Sequence, residues 1–122
     1  MRPHVFAKPQ GSTLIRFVAV VIALMVAGPA SADFQDGNSL LERCREAPGF
    51  GRGYCFGFVA AVSDVMRRGV SVAGHRACVP SNVTQGQVVS ATVQWLEANP
   101  DHRDYVAQSL VAAALSEAFP CR

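Results

Sequence analysis

Four cysteines, His75 and His102, and a few carboxylates are the side chains whose types and spacing bear on chemistry. Cys44, Cys55, Cys78 and Cys121 form an even set in a short chain, which reads as a disulfide framework. A redox centre would use Cys-x-x-Cys, and that spacing is missing. A metal centre needs several close ligands, and His75-x-x-Cys78 is the one near pair, so neither a metal nor a cofactor is expected. Ser71 and Ser81 lie near His75 in the chain but have no identifiable base and orienter, which leaves a hydrolytic triad unsupported. Asp101 and Asp104 suit the positive end of a helix better than acid–base work, and His102 in the same turn reads as solvent-facing. The chain is therefore expected not to be an enzyme. The residues left for function are in loops. One is Phe50-Gly51-Arg52 on a glycine-rich turn, and the other is Gly74-His75-Arg76 in a long connector. Aromatic and arginine side chains anchor interfaces, so Phe50, Arg52, His75 and Arg76 are the candidate partner-binding residues. The competing reading has Phe50 folded onto the core and the arginines merely solvated.

The elements that position these residues are helical. The first helix is expected over 38–47, with Ser39 and Glu42 as a capping box and Pro48 to Gly53 breaking it. A second is expected over 54–68, where Cys55, Phe58, Val59, Val62 and Met66 recur at helical spacing. Arg67, Arg68 and Gly69 end it. The connector Val70 to Val83 follows, with a short possible strand at Val70-Ser71-Val72 that has nothing to pair with. The third helix is expected over 85–98, capped by Thr84 with Gln87. That cap also accounts for the Asn82-Val83-Thr84 sequon. Asn99-Pro100 ends it and starts a fourth over 101–118, whose buried side is Val106, Leu110, Val111, Ala114, Leu115 and Ala118. The fold class is all-α: a small four-helix, disulfide-bonded bundle.

Four cysteines allow three pairings. A short hairpin brings Cys44, near the end of the first helix, to Cys55 at the start of the second. Antiparallel third and fourth helices bring Cys78 to Cys121. The expected bridges are Cys44–Cys55 and Cys78–Cys121.

The N-terminus sets the expected compartment. Arg2, Lys8 and Arg16 form a basic head, Phe17 to Ala27 an apolar run, and Ala30-Ser31-Ala32 a small-x-small triplet. This is the order of a secretory signal, with cleavage before Asp33. The apolar run is about half the ~20 residues of a membrane span, so no membrane association is expected once the signal is removed. Residues 1–32 are then signal peptide and 33–122 one domain with a modest core. That domain has eight arginines, no lysine and nine acidic residues, a formal charge of −1. A near-neutral surface argues against a nucleic-acid or polybasic membrane binder.

A set of local patterns spans almost the whole of this domain: Gly37-Asn38-x-Leu40-Leu41-x-x-Cys44, Tyr54-Cys55-x-Gly57-Phe58, Cys78-Val79-Pro80, Val83-Thr84-x-Gly86-Gln87, Trp95-Leu96 with Pro100, and Ala118-Phe119-Pro120-Cys121. Together they resemble the Rap/Tai family of type VI secretion immunity proteins. The terminal Phe-Pro-Cys with the Cys-x-Pro…Thr-x-x-Gln block is the most specific part. This chain has Ala61 where the family often has a second glycine, and Trp95 and Asn99 where a Tyr and a His are usual. The resemblance implies a periplasmic, helical, disulfide-bonded protein, often a homodimer, whose relatives bind and block peptidoglycan amidases. The motif residues are structural, so the resemblance assigns no toxin contacts. The alternative function is a periplasmic helical stress protein or chaperone of unrelated role.

Overall fold

The computed structural model describes residues 11–26 and 34–122. Two compact units divide the chain, Met1–Ala32 and Asp33–Arg122. In the first, α1 spans Gly11–Val26. Among the described residues no helix is long and apolar enough to cross a membrane. Arg2, Lys8, the Ala30-Ser31-Ala32 triplet and the expected cleavage point lie outside the described residues.

The second unit is all-α. Its helices are α2 (Gly37–Arg45), α3 (Phe50–Arg67), α4 (Gln85–Ala98) and α5 (Ala107–Ala118), with a 3-10 turn at Pro100–His102 between the last two. No strand occurs among the described residues. Two isolated bridges, Asp36 with Val106 and Val72 with His75, are the only extended pairings there.

Helix α2 starts earlier than its sequence suggests. Asp36, not Ser39, is the cap, and its carboxylate accepts the Ser39 amide at 2.7 Å. The start is fixed by a contact distant in sequence. Gly37 donates to the Tyr105 carbonyl, Asn38 to that of Arg103, and Ala107 to that of Gln35. A Cβ on Gly37 would meet the Arg103 backbone at 2.9 Å, closer than side chains tolerate, so glycine is needed there for proximity. The helix ends at Arg45 rather than Ala47.

Helix α3 also starts early, at Phe50 rather than Tyr54. Its three glycines at 51, 53 and 57 each cost a helix up to ~1 kcal/mol relative to alanine. Tertiary packing overrides that penalty. Gly51 is buried against the Glu46 side chain, and the Cys44–Cys55 bridge ties the first turn to α2. Cys55, Val59, Ser63 and Met66 form the buried edge of α3. Phe58 and Val62 pack half-buried beside it.

Helix α4 has the expected boundaries. Thr84 accepts the Gln87 amide and the Gln87 side chain accepts the Thr84 amide, a complete capping box. The following helix does not begin at Asp101 as expected. Arg103 turns back to donate to the carbonyls of Leu96 at 2.7 Å and Glu97 at 3.3 Å, which caps the end of α4. Residues 103–107 also hydrogen-bond to 35–38. Those two sets of bonds break the helix, and α5 starts at Ala107. Its burial is wider than the expected stripe, because Ala112 and Ala113 are buried too, while Ala118 is exposed. Small side chains allow neighbours on several sides of α5. Leu40, Val59, Met66, Val88, Leu96, Val111 and Leu115 form one core.

Candidate functional site

The connector after α3 is the longest segment of the second unit without a helix, and it is firmly held. Val72 and His75 exchange backbone hydrogen bonds at 3.0 and 2.9 Å. The two residues between them are left-handed, Ala73 at φ 48° and Gly74 at φ 80°. Two consecutive positive φ angles make the tight turn type that suits hairpins. Ala73 adopts its angle at a cost of roughly 1–2 kcal/mol, which the surrounding bonds must offset. The turn therefore has a defined shape.

Past the turn, Ala77 and Val79 are buried. Between them Cys78 is fixed twice, by its amide on the Phe119 carbonyl at 2.8 Å and by the bridge to Cys121. At the far end Arg67 donates to the Val83 carbonyl at 2.7 Å. The tip, Ala73 and Gly74, and the Arg76 side chain remain exposed. A cavity of about 270 Å³ opens beside them, lined by Met66, Arg67, Arg76, Cys78 and Cys121 among others.

His75 is half-buried, with Nδ1 3.5 Å from the Ser116 hydroxyl. That hydroxyl donates to the Ala113 carbonyl at 2.8 Å, so its contact with His75 is the longer and weaker of the two. The histidine thus packs the turn onto α5. No carboxylate is hydrogen-bonded to its ring among the described residues.

Phe50 and Arg52 stand elsewhere. Both lie on the first turn of α3, not in a loop, and α3 is 18 residues long, so its two ends are about 27 Å apart. The structure does not bring the His75–Arg76 pair together with Phe50 and Arg52. Phe50 does not fold onto the core, being 83 % exposed. The Arg52 guanidinium lies 5.7 Å from the centre of the Phe56 ring, a cation–π distance. A shallow apolar hollow beside it is lined by Pro48, Gly49, Arg52, Gly53 and Phe56.

A third cluster leaves no trace in the spacing of the sequence. The Trp95 and His102 rings are 6.1 Å apart, and His102 and Tyr105 6.0 Å apart. They come together only because the chain turns at Pro100–His102. Among the described residues no group of three or more His, Cys, Asp or Glu is placed to hold a metal ion.

The geometry is that of a small rigid scaffold presenting an ordered, exposed turn. The family model described as Rap1a immunity proteins matches residues 36–121. The chain belongs to the Rap1a immunity protein family. The matched span runs from the cap of α2 to the second cysteine of the second bridge, so it takes in every element of the helical unit. Comparison with curated proteins and with solved structures returned no match. Membership of the Rap1a family points to an immunity role carried out by binding a toxin, without catalysis.

Proposed function

We propose that this Rap1a family member is a periplasmic immunity protein that binds and occludes a peptidoglycan amidase delivered by type VI secretion. The family match over 36–121 carries the reading. Two features of the sequence support the compartment: the basic, apolar, small-x-small order of residues 1–32, and the use of all four cysteines in bridges, which persist in oxidising compartments. In this reading residues 1–32 are removed on export and the protein acts as a homodimer.

The surface proposed for the toxin is the turn at Ala73–Arg76. An inhibitor works best when the segment entering a cleft is already ordered, because less conformational entropy is lost on binding. This turn meets that condition through the Val72–His75 bonds and the Cys78 anchor. Arg76 can pair with acidic groups at the rim of a cleft. The experiment is to purify the protein with a peptidoglycan amidase encoded beside it and measure binding and residual hydrolysis. A tight complex with hydrolysis suppressed is expected. An amidase that neither binds nor loses activity would overturn the amidase reading.

A further inference from the structure

The two bridges stand in different surroundings. Cys55 is fully buried and Cys44 half-buried, where α2 meets α3. Cys78 and Cys121 are both exposed, and both line the cavity of about 270 Å³ at the end of α3. Arg67 and Arg76 line the same cavity, and no acidic residue does. Neither arginine forms a salt bridge among the described residues. Beyond Phe119, residues 120–122 make no backbone hydrogen bond there either, so the bridge is what ties them to the connector.

We propose that Cys78–Cys121 is a thiol–disulfide exchange site for small thiols that carry carboxylates. A thiolate attacks one sulfur of the bridge and forms a mixed disulfide with it, and the other cysteine leaves as a thiolate. A second molecule of the thiol attacks the mixed disulfide. That step frees the second cysteine and forms the disulfide of the small thiol. Two thiols are oxidised and one protein bridge is reduced, and the thiol protons pass through water to the two cysteines.

Three features favour this bridge over the other. Exchange needs access to sulfur, and the cavity supplies it. The arginines stabilise the departing thiolate and attract the carboxylates of the reagent. The change is also local. The Cys78 amide remains on the Phe119 carbonyl at 2.8 Å, and Ala77 and Val79 remain buried, so the connector keeps its place while residues 120–122 are released. The first bridge lacks these conditions. Arg52 lines a hollow together with Cys44, but attack on Cys44 would expel Cys55 as a thiolate inside the core, where an unpaired charge is costly. This inference goes beyond the immunity reading and does not rest on it.

The test uses the full 122-residue chain with both bridges formed. The folded protein is incubated with glutathione, which carries carboxylates, or with mercaptoethanol, which is uncharged. Free thiols are then capped with iodoacetamide and the peptides mapped by mass. Cys78 and Cys121 should be found capped or joined to the reagent while Cys44–Cys55 stays intact. Arg76→Gln should lower the ratio of the glutathione rate to the mercaptoethanol rate about twofold to fivefold, the worth of one exposed ion pair. A purely structural arginine would leave that ratio unmoved. Opening of Cys44–Cys55 first, or of both bridges together, would overturn the site, and so would bridges that react only in urea. A ratio unchanged by Arg76→Gln would overturn the preference for carboxylate-bearing thiols.

Discussion

At the scale of single residues, three side chains set local outcomes. Asp36 holds the first turn of α2, and its bonds with Ser39 keep its carboxyl below the ordinary aspartate value, against a smaller opposing effect of burial. A depressed native pKa means the unfolded chain binds the proton more readily. The Asp36 contribution is therefore present at neutral pH and is lost as pH falls from the ordinary aspartate value through the depressed native one. Asp36→Ala should lower stability by about 1 kcal/mol at pH 7, the usual worth of a cap. Urea titrations at pH 7 and pH 2.5 check this, and the gap between parent and variant should narrow at the lower pH. His75 and Arg76 belong to the same scale. Replacing both with alanine should keep the helical circular dichroism signal and weaken toxin binding by at least ~1 kcal/mol, the mark of an interface anchor. Titration calorimetry with the toxin encoded beside it reads that change. An affinity unchanged within about threefold, which is below that anchor energy, would remove the turn from the toxin surface.

At the scale of elements, Arg103 separates α4 from α5. Its guanidinium takes the carbonyls of Leu96 and Glu97, groups that a helix end otherwise leaves to water. Hydrogen bonds from a charged group are worth about 1.5–3 kcal/mol. Because this site is partly exposed, Arg103→Ala should cost toward the lower end, about 1–2 kcal/mol. Arg103→Lys should not restore it, since an ammonium lacks the two-pronged geometry. Thermal unfolding of the three proteins gives the comparison. The same element shows where local sequence signals fail. Asn99-Pro100 and the acidic pair after it favour a helix from 101, but the loop is drawn off by bonds to 35–38. Those partners lie some seventy residues away and leave no periodic trace in the sequence. Likewise the glycines at 51 and 53 look like a breaker, but Gly51 packs beside Glu46 and the first bridge ties this turn to α2, so the segment is helical.

At the scale of the whole molecule, the two bridges differ in the loops they close. Cys44 and Cys55 are 11 residues apart, Cys78 and Cys121 43. In the chain-entropy account the longer loop stabilises more, about 4 kcal/mol against about 3. Cys78→Ala with Cys121→Ala should therefore lower the unfolding free energy more than Cys44→Ala with Cys55→Ala, as read by urea unfolding. The longer bridge also fastens the connector, so its loss should weaken toxin binding as well. In the proposed reading the chain is exported, and the protein recovered from the periplasm should then begin at Asp33. Terminal sequencing that begins at Met1 would remove the signal-peptide reading.

The sequence by itself determined the helical class, the capping box at Thr84 and the repeating apolar edge of α3. It also carried the pattern of cysteines, glycines and caps by which the family is recognised. Each of these is a local signal, written in a cap, a period or a fixed spacing. The tertiary structure decided what depends on neighbours distant in the chain. It moved the starts of α2, α3 and α5 through contacts between segments. It fixed the Val72–His75 turn by anchoring Cys78 on Phe119 and Cys121. It placed Phe50 and Arg52 about a helix length from His75 and Arg76. Which face of α3 stays bare was also its decision: Gly53, Gly57 and Ala61 are exposed among the described residues, and no local pattern marks them so.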